Sequence, residues 1–202
     1  MQRKENKRKK RRLLLIASFI FTVTGISIVF INKTNDYKEI KIEEEKIEKF
    51  ISNNTLIEKE EPKEVVKNDS YIAILDIPKI NLKKGVYSKE STNNNIDRNI
   101  LLLKESSMPD IENGNLILAG HSGNSKNSYF KNLKKLNYDE LAFIHYRGIK
   151  YAYKLVSKYE IIKNGEAIIH RNMNKNTLTL ITCKDNSNKQ IVFIFELIGR
   201  SG

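Results

Sequence analysis

Cysteine is almost absent from this chain, which has one, Cys183, in 202 residues, together with three histidines. A single thiol excludes an internal disulfide, and with it a fold held together by disulfide bonds. Internal repeats are also lacking. The acidic residues Asp110, Glu112 and Glu166 are scattered, as is typical of solvated loops. We therefore expect no metal site and no cofactor.

Basic residues are in excess, but most of the excess lies at one end. The formal net charge is +12, and the first twelve residues, MQRKENKRKKRR, carry +7 of it. A positive charge confined to one terminus does not predict a basic groove, so nucleic acid is not an expected partner.

A long apolar run follows the basic segment at once. Residues 13–31, LLLIASFIFTVTGISIVFI, are nineteen residues without a charge. As a helix they extend about 28 Å, enough to cross the hydrocarbon core of a membrane. A cleaved signal peptide is the alternative, but its apolar region is usually shorter and ends in a small-x-small site. We predict a retained transmembrane helix with a cytoplasmic N-terminus, so that residues 32–202 lie outside the cell.

Two segments that differ in composition follow the apolar run. Residues 32–69 are polar, and a charged helix at residues 38–50 would have too few apolar residues to form a core. We interpret 32–69 as a stalk. The sequence thus predicts a basic cytoplasmic segment (1–12), a transmembrane helix (13–31), the stalk (32–69) and one folded domain (70–202).

The folded domain has short apolar or alternating runs separated by turn signals, a pattern typical of an all-β barrel or sandwich. Arg147-Gly148, between two alternating runs, predicts a hairpin turn. A short helix is predicted at residues 128–136, where Phe130 and Leu133 share a face. Eight strands in about 130 residues suit a small closed barrel. The predicted strands are residues 71–77, 82–87, 100–103, 115–119, 142–146, 150–162, 177–182 and 190–198.

Cys183 lies where the strand TLTLITC meets the polar loop KDNSNK. Leu178 and Leu180 suit the barrel interior, so alternation places Cys183 on the opposite face, at the end of the strand. From this pattern alone, an exposed reactive thiol and a buried structural one are equally acceptable.

A nucleophilic thiol needs a base or a cationic neighbour, because free cysteine is mostly protonated at neutral pH. His145 and His170 lie within alternating or apolar runs and read as ordinary strand residues. His121 differs, since it ends the strand NLILAGH and precedes the flexible stretch SGNSKNS. We expect His121 and Cys183 to meet at the rim of the barrel.

At these residues the sequence resembles the sortases, membrane-anchored cysteine transpeptidases of Gram-positive bacteria. The similarity lies in TLITC (179–183), LAGHSG (118–123) and AILDIPKINLKKGVY (73–87). It covers residues 70–198 and agrees with the basic start, membrane helix and stalk. The short segment at 163–176 resembles the class A and class D types more than class B, which has a long helical insertion there.

The resemblance implies an eight-stranded sortase-like β-barrel with Cys183 as nucleophile and His121 as its partner. Cys183 would attack the threonine carbonyl of a Leu-Pro-x-Thr-Gly-like sorting signal on a surface protein, and His121 would protonate the departing amine. An amine of a cell-wall precursor or a pilin would then resolve the thioester. Imidazole can serve as both acid and base near neutral pH.

One element of the family pattern is missing, the arginine that starts the strand after the cysteine. This chain has NKQIVFIF there, which puts Lys189 or Gln190 at that place. We take Lys189 as the replacement, although it lacks the planar fork of arginine. Arg200 lies about 30 Å further along the strand and is unsuitable. Three other arginines belong to different loops and could reach the site: Arg98, Arg147 and Arg171.

Two other functions remain open. The missing arginine is compatible with a catalytically degenerate sortase-fold protein that acts by binding. A hydrolytic cysteine peptidase, in which water resolves the thioester, is the other alternative.

Overall fold

The computed structural model describes residues 2–55 and 70–202. The chain forms two compact units, Met1–Lys46 and Ile47–Gly202. The second part of the predicted stalk, residues 56–69, lies outside the described residues. The proposed division into four segments stays a prediction.

A single α-helix, α1, runs from Gln2 to Thr55 and contains the whole apolar run. Within the described part of the chain, Leu13–Asn53 is the one helical segment long and apolar enough to cross a membrane. Nearly all its large apolar side chains between Leu13 and Ile31 are exposed. The helix continues through the first part of the predicted stalk, residues 32–55.

Eight strands follow in one sheet, in the order β2-β1-β5-β6-β8-β7-β4-β3. The edge strands β2 and β3 contact each other, so the sheet is nearly closed. This confirms the predicted eight-stranded barrel. The strands are β1 (Tyr71–Ile77), β2 (Leu82–Tyr87), β3 (Leu101–Leu102), β4 (Asn115–Ala119), β5 (Leu141–Tyr146), β6 (Ile149–Ile162), β7 (Thr177–Cys183) and β8 (Lys189–Ser201).

The strand bounds differ from the prediction mainly in β3 and β8. β3 is reduced to two residues. β8 continues to Ser201 because β6 offers it partners along its whole length, down to Lys150. The short helix predicted at residues 128–136 is a 3₁₀ turn at Leu133–Lys135, and a second 3₁₀ turn occupies Pro78–Ile80.

The barrel interior follows from alternation along the strands. Leu178 and Leu180 of β7 and Phe193 and Phe195 of β8 lie in the main core cluster. Phe130 lies in the same cluster. Every second residue thus packs inward, as the period of a strand requires. The predicted hairpin turn also forms, with Arg147 and Gly148 at φ 49° and 75°, the positive values that a tight type I′ turn needs.

The last turns of α1 pack on the outer face of β1 and β2. Ile47 is only 3% exposed and clusters with Tyr71, Ile74 and Tyr87. Gly85 lies directly under the Tyr71 ring, since a Cβ there would be 2.3 Å from ring atoms. The part of α1 from Ile47 onward is therefore packed as part of the same compact unit as the barrel.

We expect Ile47→Ala to destabilise this unit by about 2 kcal/mol, because it removes a buried branched side chain and leaves a cavity. Thermal unfolding of the full-length chain in detergent, followed by tyrosine circular dichroism, measures the change. Ile42→Ala is the matched control, since Ile42 lies on the same helix and is 53% exposed. Equal melting temperatures for the two variants would show that Ile47 contributes nothing.

Candidate active site

The site is built on two strands that run side by side in the same direction. β4 and β7 pair in parallel, with Leu118 opposite Leu180 and Ala119 opposite Ile181. Parallel strands in register end at the same edge of a sheet. His121 and Cys183 each follow two residues after the Ala119–Ile181 pair, so they leave the sheet side by side.

Hydrogen bonds extend the pairing beyond the last strand residues. The Gly120 amide donates to the Ile181 carbonyl at 3.1 Å, and the Thr182 hydroxyl donates to the Gly120 carbonyl at 2.7 Å. The Ser122 hydroxyl donates to the Cys183 carbonyl at 2.6 Å. These hydrogen bonds hold the segment after β4 against the end of β7, where the two candidate catalytic residues lie.

Glycine is required at position 120 by the close approach of an aromatic ring. A Cβ at Gly120 would lie 2.9 Å from the Phe130 ring, and the Phe130 amide donates to the His121 carbonyl at 2.9 Å. Phe130 belongs to the barrel core. The backbone that carries His121 is therefore bonded to the backbone of a residue whose side chain lies in the core.

His121 and Cys183 line one open groove of about 520 Å³. Cys183 is half-buried and is a free thiol. Three lysines and one aspartate also line the groove, and the Lys134 ammonium donates to the Asp185 carboxylate at 2.6 Å. The lining residues are His121, Ser122, Gly123, Asn124, Lys131, Asn132, Lys134, Cys183, Lys184, Asp185 and Asn186.

The His121 ring has a carboxylate partner. Its Nε2 lies 3.1 Å from Oδ1 of Asp97, in the loop between β2 and β3. The side chain of His121 is 38% exposed and that of Asp97 is 80% exposed. Nε2 is therefore hydrogen-bonded to a residue that does not line the groove.

A second apolar layer covers the outer face of the barrel beside Cys183. Ile181, two residues before Cys183 on the same face, clusters with Val192 and Ile194. Ala167 and Ile169, from the loop between β6 and β7, pack against this layer. Cys183 thus lies at the end of an apolar strip that consists of Ile181, Val192, Ile194, Ala167 and Ile169.

Lys189 is paired with a carboxylate, and neither it nor its neighbour Gln190 is among the residues that line the groove. Its ammonium pairs with Glu160 Oε2 at 3.1 Å, and Lys184 pairs with the other oxygen of that carboxylate. Hydrogen bonds from Lys184 and then Lys189 hold the pKa of Glu160 below its usual value. Lys189 therefore shares one carboxylate of β6 with Lys184, which lines the groove.

Gln190 instead lies directly opposite Cys183. The two residues are Cα partners in the antiparallel pair of β7 and β8. Cross-strand partners share a face, with Cβ atoms about 5 Å apart, whereas neighbours along a strand point to opposite faces. Gln190, and not Lys189, therefore shares the face of the thiol. Its amide makes no side-chain hydrogen bond to the described residues.

The other two histidines lie elsewhere. His145 on β5 pairs with Ile74 of β1, and burial lowers its pKa, so it stays neutral near pH 7. His170 lies in the β6–β7 loop, where its ring contacts Tyr159. His121 is thus the histidine that the groove contains.

The arginines considered from the sequence are all described in the structure, and none of them lines the groove that contains the thiol. Arg147 pairs with Asp110 at 3.3 Å, and Arg171 donates to backbone carbonyls of its own loop, at Asn172 and Lys175. Arg98 follows Asp97 and is exposed. Arg200 lies opposite Tyr151 at the far end of β8. The residues that line the groove include lysines and no arginine.

Sequence reasoning missed Asp97 and Ser122 as parts of the site. Ser122 had a signal, since it directly follows His121. Asp97 lies 24 residues before His121 in the asparagine-rich stretch STNNNIDRNI, whose side chains cap turns. Among the described residues, no group of three metal-ligating side chains occurs.

Comparison with known proteins gives a family and a fold. The family model described as Sortase domain matches residues 75–197. A comparison with curated proteins gives no significant match.

Several solved structures are similar. A sortase D5 transpeptidase of Clostridium perfringens has a TM-score of 0.63 and 26% identity, over 79% of this chain and 99% of that one. Sortase C of Streptococcus pneumoniae has a TM-score of 0.58 and 18% identity, over 77% and 88%. Sortase A of Corynebacterium diphtheriae, a lid mutant, has a TM-score of 0.57 and 19% identity, over 74% and 77%.

Proposed function

Because this chain belongs to the sortase family, we propose that it is a cysteine transpeptidase that cleaves a Leu-Pro-x-Thr-Gly-like sorting signal and transfers the acyl part to an amine. The observation that supports the proposal is the placement of Cys183 and His121 at adjacent ends of two parallel strands, in one groove.

The proposed reaction has two halves. The Cys183 thiolate attacks the threonine carbonyl carbon, and the tetrahedral intermediate collapses to a thioester as the C–N bond breaks. Protonated His121 gives its proton to the departing amine. In the second half the acceptor amine attacks the thioester, neutral His121 takes the proton from the attacking nitrogen, and the thiolate leaves.

The apolar strip beside Cys183 supports an apolar residue in the substrate. Ile181 and Val192 are buried, and Ala167 and Ile169 border them from the β6–β7 loop. Leucine and proline upstream of the scissile threonine would bury their side chains against the part of this layer that is still accessible, the half-buried Ala167 and Ile169, a favourable contribution of about 25 cal/mol per Å². We assign the upstream part of the sorting signal to this strip.

The oxyanion needs a donor, and two residues are candidates. Lys189 supplies a charge, but it would first have to leave Glu160. Gln190 lies on the thiol's face with an uncommitted amide, and side-chain amides serve as oxyanion donors in other enzymes. We therefore propose that Gln190, rather than the Lys189 that the sequence favours, fills the place of the family's arginine.

We expect Gln190→Leu to lower kcat about 10²-fold, because a leucine keeps the volume and removes the donor. Lys189→Met is the matched variant one residue away and should change kcat less than threefold. Acylation of Cys183 by a sorting peptide, followed by mass spectrometry, measures both. The reverse ranking would return the role to Lys189.

We propose a membrane location for the chain. Residues 13–31 would span the membrane, with the basic segment 1–12 in the cytoplasm and the barrel outside the cell. The partners would then be surface proteins with a C-terminal sorting signal and an amine acceptor of the cell wall or a pilin.

The experiment that tests the function uses the full-length chain in detergent, a set of Leu-Pro-x-Thr-Gly-like peptides and an amine acceptor, followed by mass spectrometry. Transpeptidation gives an acyl mass on the protein and an amine-linked product. A hydrolytic peptidase gives the free acid whether or not the amine is added. A degenerate binding protein gives no acyl mass while its thiol still reacts with iodoacetamide.

A further inference from the structure

We propose that Asp97 is a positioning residue for His121, which it holds with Nε2–H directed at its carboxylate and Nδ1 left to exchange the proton in the groove. The role in catalysis rests on the proposed transpeptidase function. The contact between the two side chains does not, and it can be measured separately.

The hydrogen bond distinguishes the two ring nitrogens. Nε2 of His121 lies 3.1 Å from Asp97 Oδ1, and an ionised carboxylate can only accept. Nε2 must therefore carry a proton, in the neutral as well as the charged ring. The nitrogen that gains and loses a proton during the reaction is then Nδ1, because the bond at one nitrogen sets the state of the other.

Asp97 is itself held in place by side-chain amides. Its backbone amide donates to Asn95 Oδ1 at 2.8 Å, and its carbonyl accepts from the Asn127 amide at 2.6 Å. The first contact is the local turn typical of asparagine. The second joins the loop after β2 to the loop that follows His121. The segment that carries the carboxylate is therefore hydrogen-bonded to the segment that carries the ring.

The same loop is anchored to the barrel on both sides of Asp97. The buried Asn99 amide donates to the Gly85 carbonyl of β2 at 2.8 Å. Asn94 forms two hydrogen bonds with the backbone of Leu102, at 3.0 and 2.7 Å. An exposed carboxylate on a free loop would seldom hold one geometry, whereas the backbone that carries this carboxylate is held on both sides.

Fixing the ring matters because His121 has to act twice, as acid and then as base. Its ring is more than a third exposed, and its Nε2 makes one hydrogen bond to the described residues. Without Asp97 the ring could rotate, and the proton could occupy either nitrogen. A fraction of the molecules would then present the wrong nitrogen to the leaving amine.

The contact is tested by nuclear magnetic resonance of the imidazole nitrogens, using full-length chain labelled with ¹⁵N-histidine in detergent micelles. Three histidines give few signals, and His121→Gln identifies those of His121. In the neutral ring we expect a single tautomer with the proton on Nε2. Asp97→Ala should move the two nitrogen resonances toward each other. Unchanged resonances in Asp97→Ala would overturn the proposed contact.

The role is tested by kinetics with a sorting peptide and an amine. We expect Asp97→Ala to lower kcat about tenfold with KM unchanged. A tenfold change in rate corresponds to the free energy that one hydrogen bond to a charged group contributes. Asp97→Asn keeps an acceptor oxygen and should lose about threefold. Glu112→Ala, which removes an exposed carboxylate from a different loop, is the control and should match the wild type.

A double variant separates positioning from a general effect on the fold. In a His121→Ala background, Asp97→Ala should cause no further loss, since residues that act as a unit are not additive. A further tenfold loss there, or a rise in KM alone, would overturn the positioning role. If the wild-type chain forms no product, the proposed function fails, and the nitrogen resonances still decide the contact.

Discussion

Replacing Cys183 with alanine is expected to abolish both the acyl-enzyme and the amine-linked product. The chain has no second cysteine, so no other thiol can form the thioester. Neighbouring hydroxyls cannot substitute, because Thr182 and Ser122 donate to the Gly120 and Cys183 carbonyls and a hydroxyl is a far weaker nucleophile than a thiolate. Mass spectrometry of the protein after incubation with a peptide measures the loss.

The variant should remain folded, since Cys183 is the last residue of β7 and is half-buried. Alanine there removes one sulfur from a partly solvated position, and the melting temperature should move by only a few degrees. Ser122→Ala is a useful companion, because it keeps the thiol and removes only the 2.6 Å bond to the Cys183 carbonyl. An acyl mass on Cys183→Ala would contradict the assigned nucleophile.

Replacing His121 with alanine is expected to lower kcat about 10³-fold, within the range that general acid–base catalysis supplies. In the proposed mechanism the departing amine then leaves without a proton donor, and the thiol loses the imidazole that shares its groove. Acylation of Cys183 by an activated thioester substrate should fall much less, because its leaving group needs no proton. Parallel measurement of the peptide and the thioester separates loss of acid catalysis from loss of folding.

His170→Gln is the matched control for this loss. His170 is an exposed histidine in the β6–β7 loop, where its backbone amide and not its ring donates to the Tyr159 hydroxyl. Its replacement should leave kcat within threefold of the wild type. If the His121 and His170 variants lost activity equally, the effect could not be assigned to a proton transfer at His121.

Most of the fold could be predicted from the sequence because its strands alternate cleanly and its turns carry local signals. Leu178 and Leu180 point inward as the period of two requires, and the Arg147-Gly148 turn adopts the positive φ values that its residues allow. The extent of β8 could not be read in this way. Its last residues, Gly199 to Ser201, are exposed and polar or small, and they become strand because β6 lies beside them.

The sequence predicts those residues of the candidate site that have a reactive side chain and also end a strand. Cys183 and His121 each end an apolar run. Gln190 and Lys189 could not be separated, because moving the register by one residue exchanges the two faces of a strand. The pairing of Cys183 with Gln190 shows which of the two shares the face of the thiol. Asp97 meets His121 across 24 residues of chain, a contact that no local pattern encodes.

The parallel pairing of β4 and β7 has a consequence for how the domain folds. Its partners are far apart in the chain, since Asn115 and Thr177 are separated by 62 residues, and contacts of this kind close late and slowly. We therefore expect the imidazole and the thiol to come together late in folding. Until then the sole cysteine is an unprotected thiol that can form a disulfide only with another molecule, so dimers of misfolded chain under oxidising conditions should report how long that interval lasts.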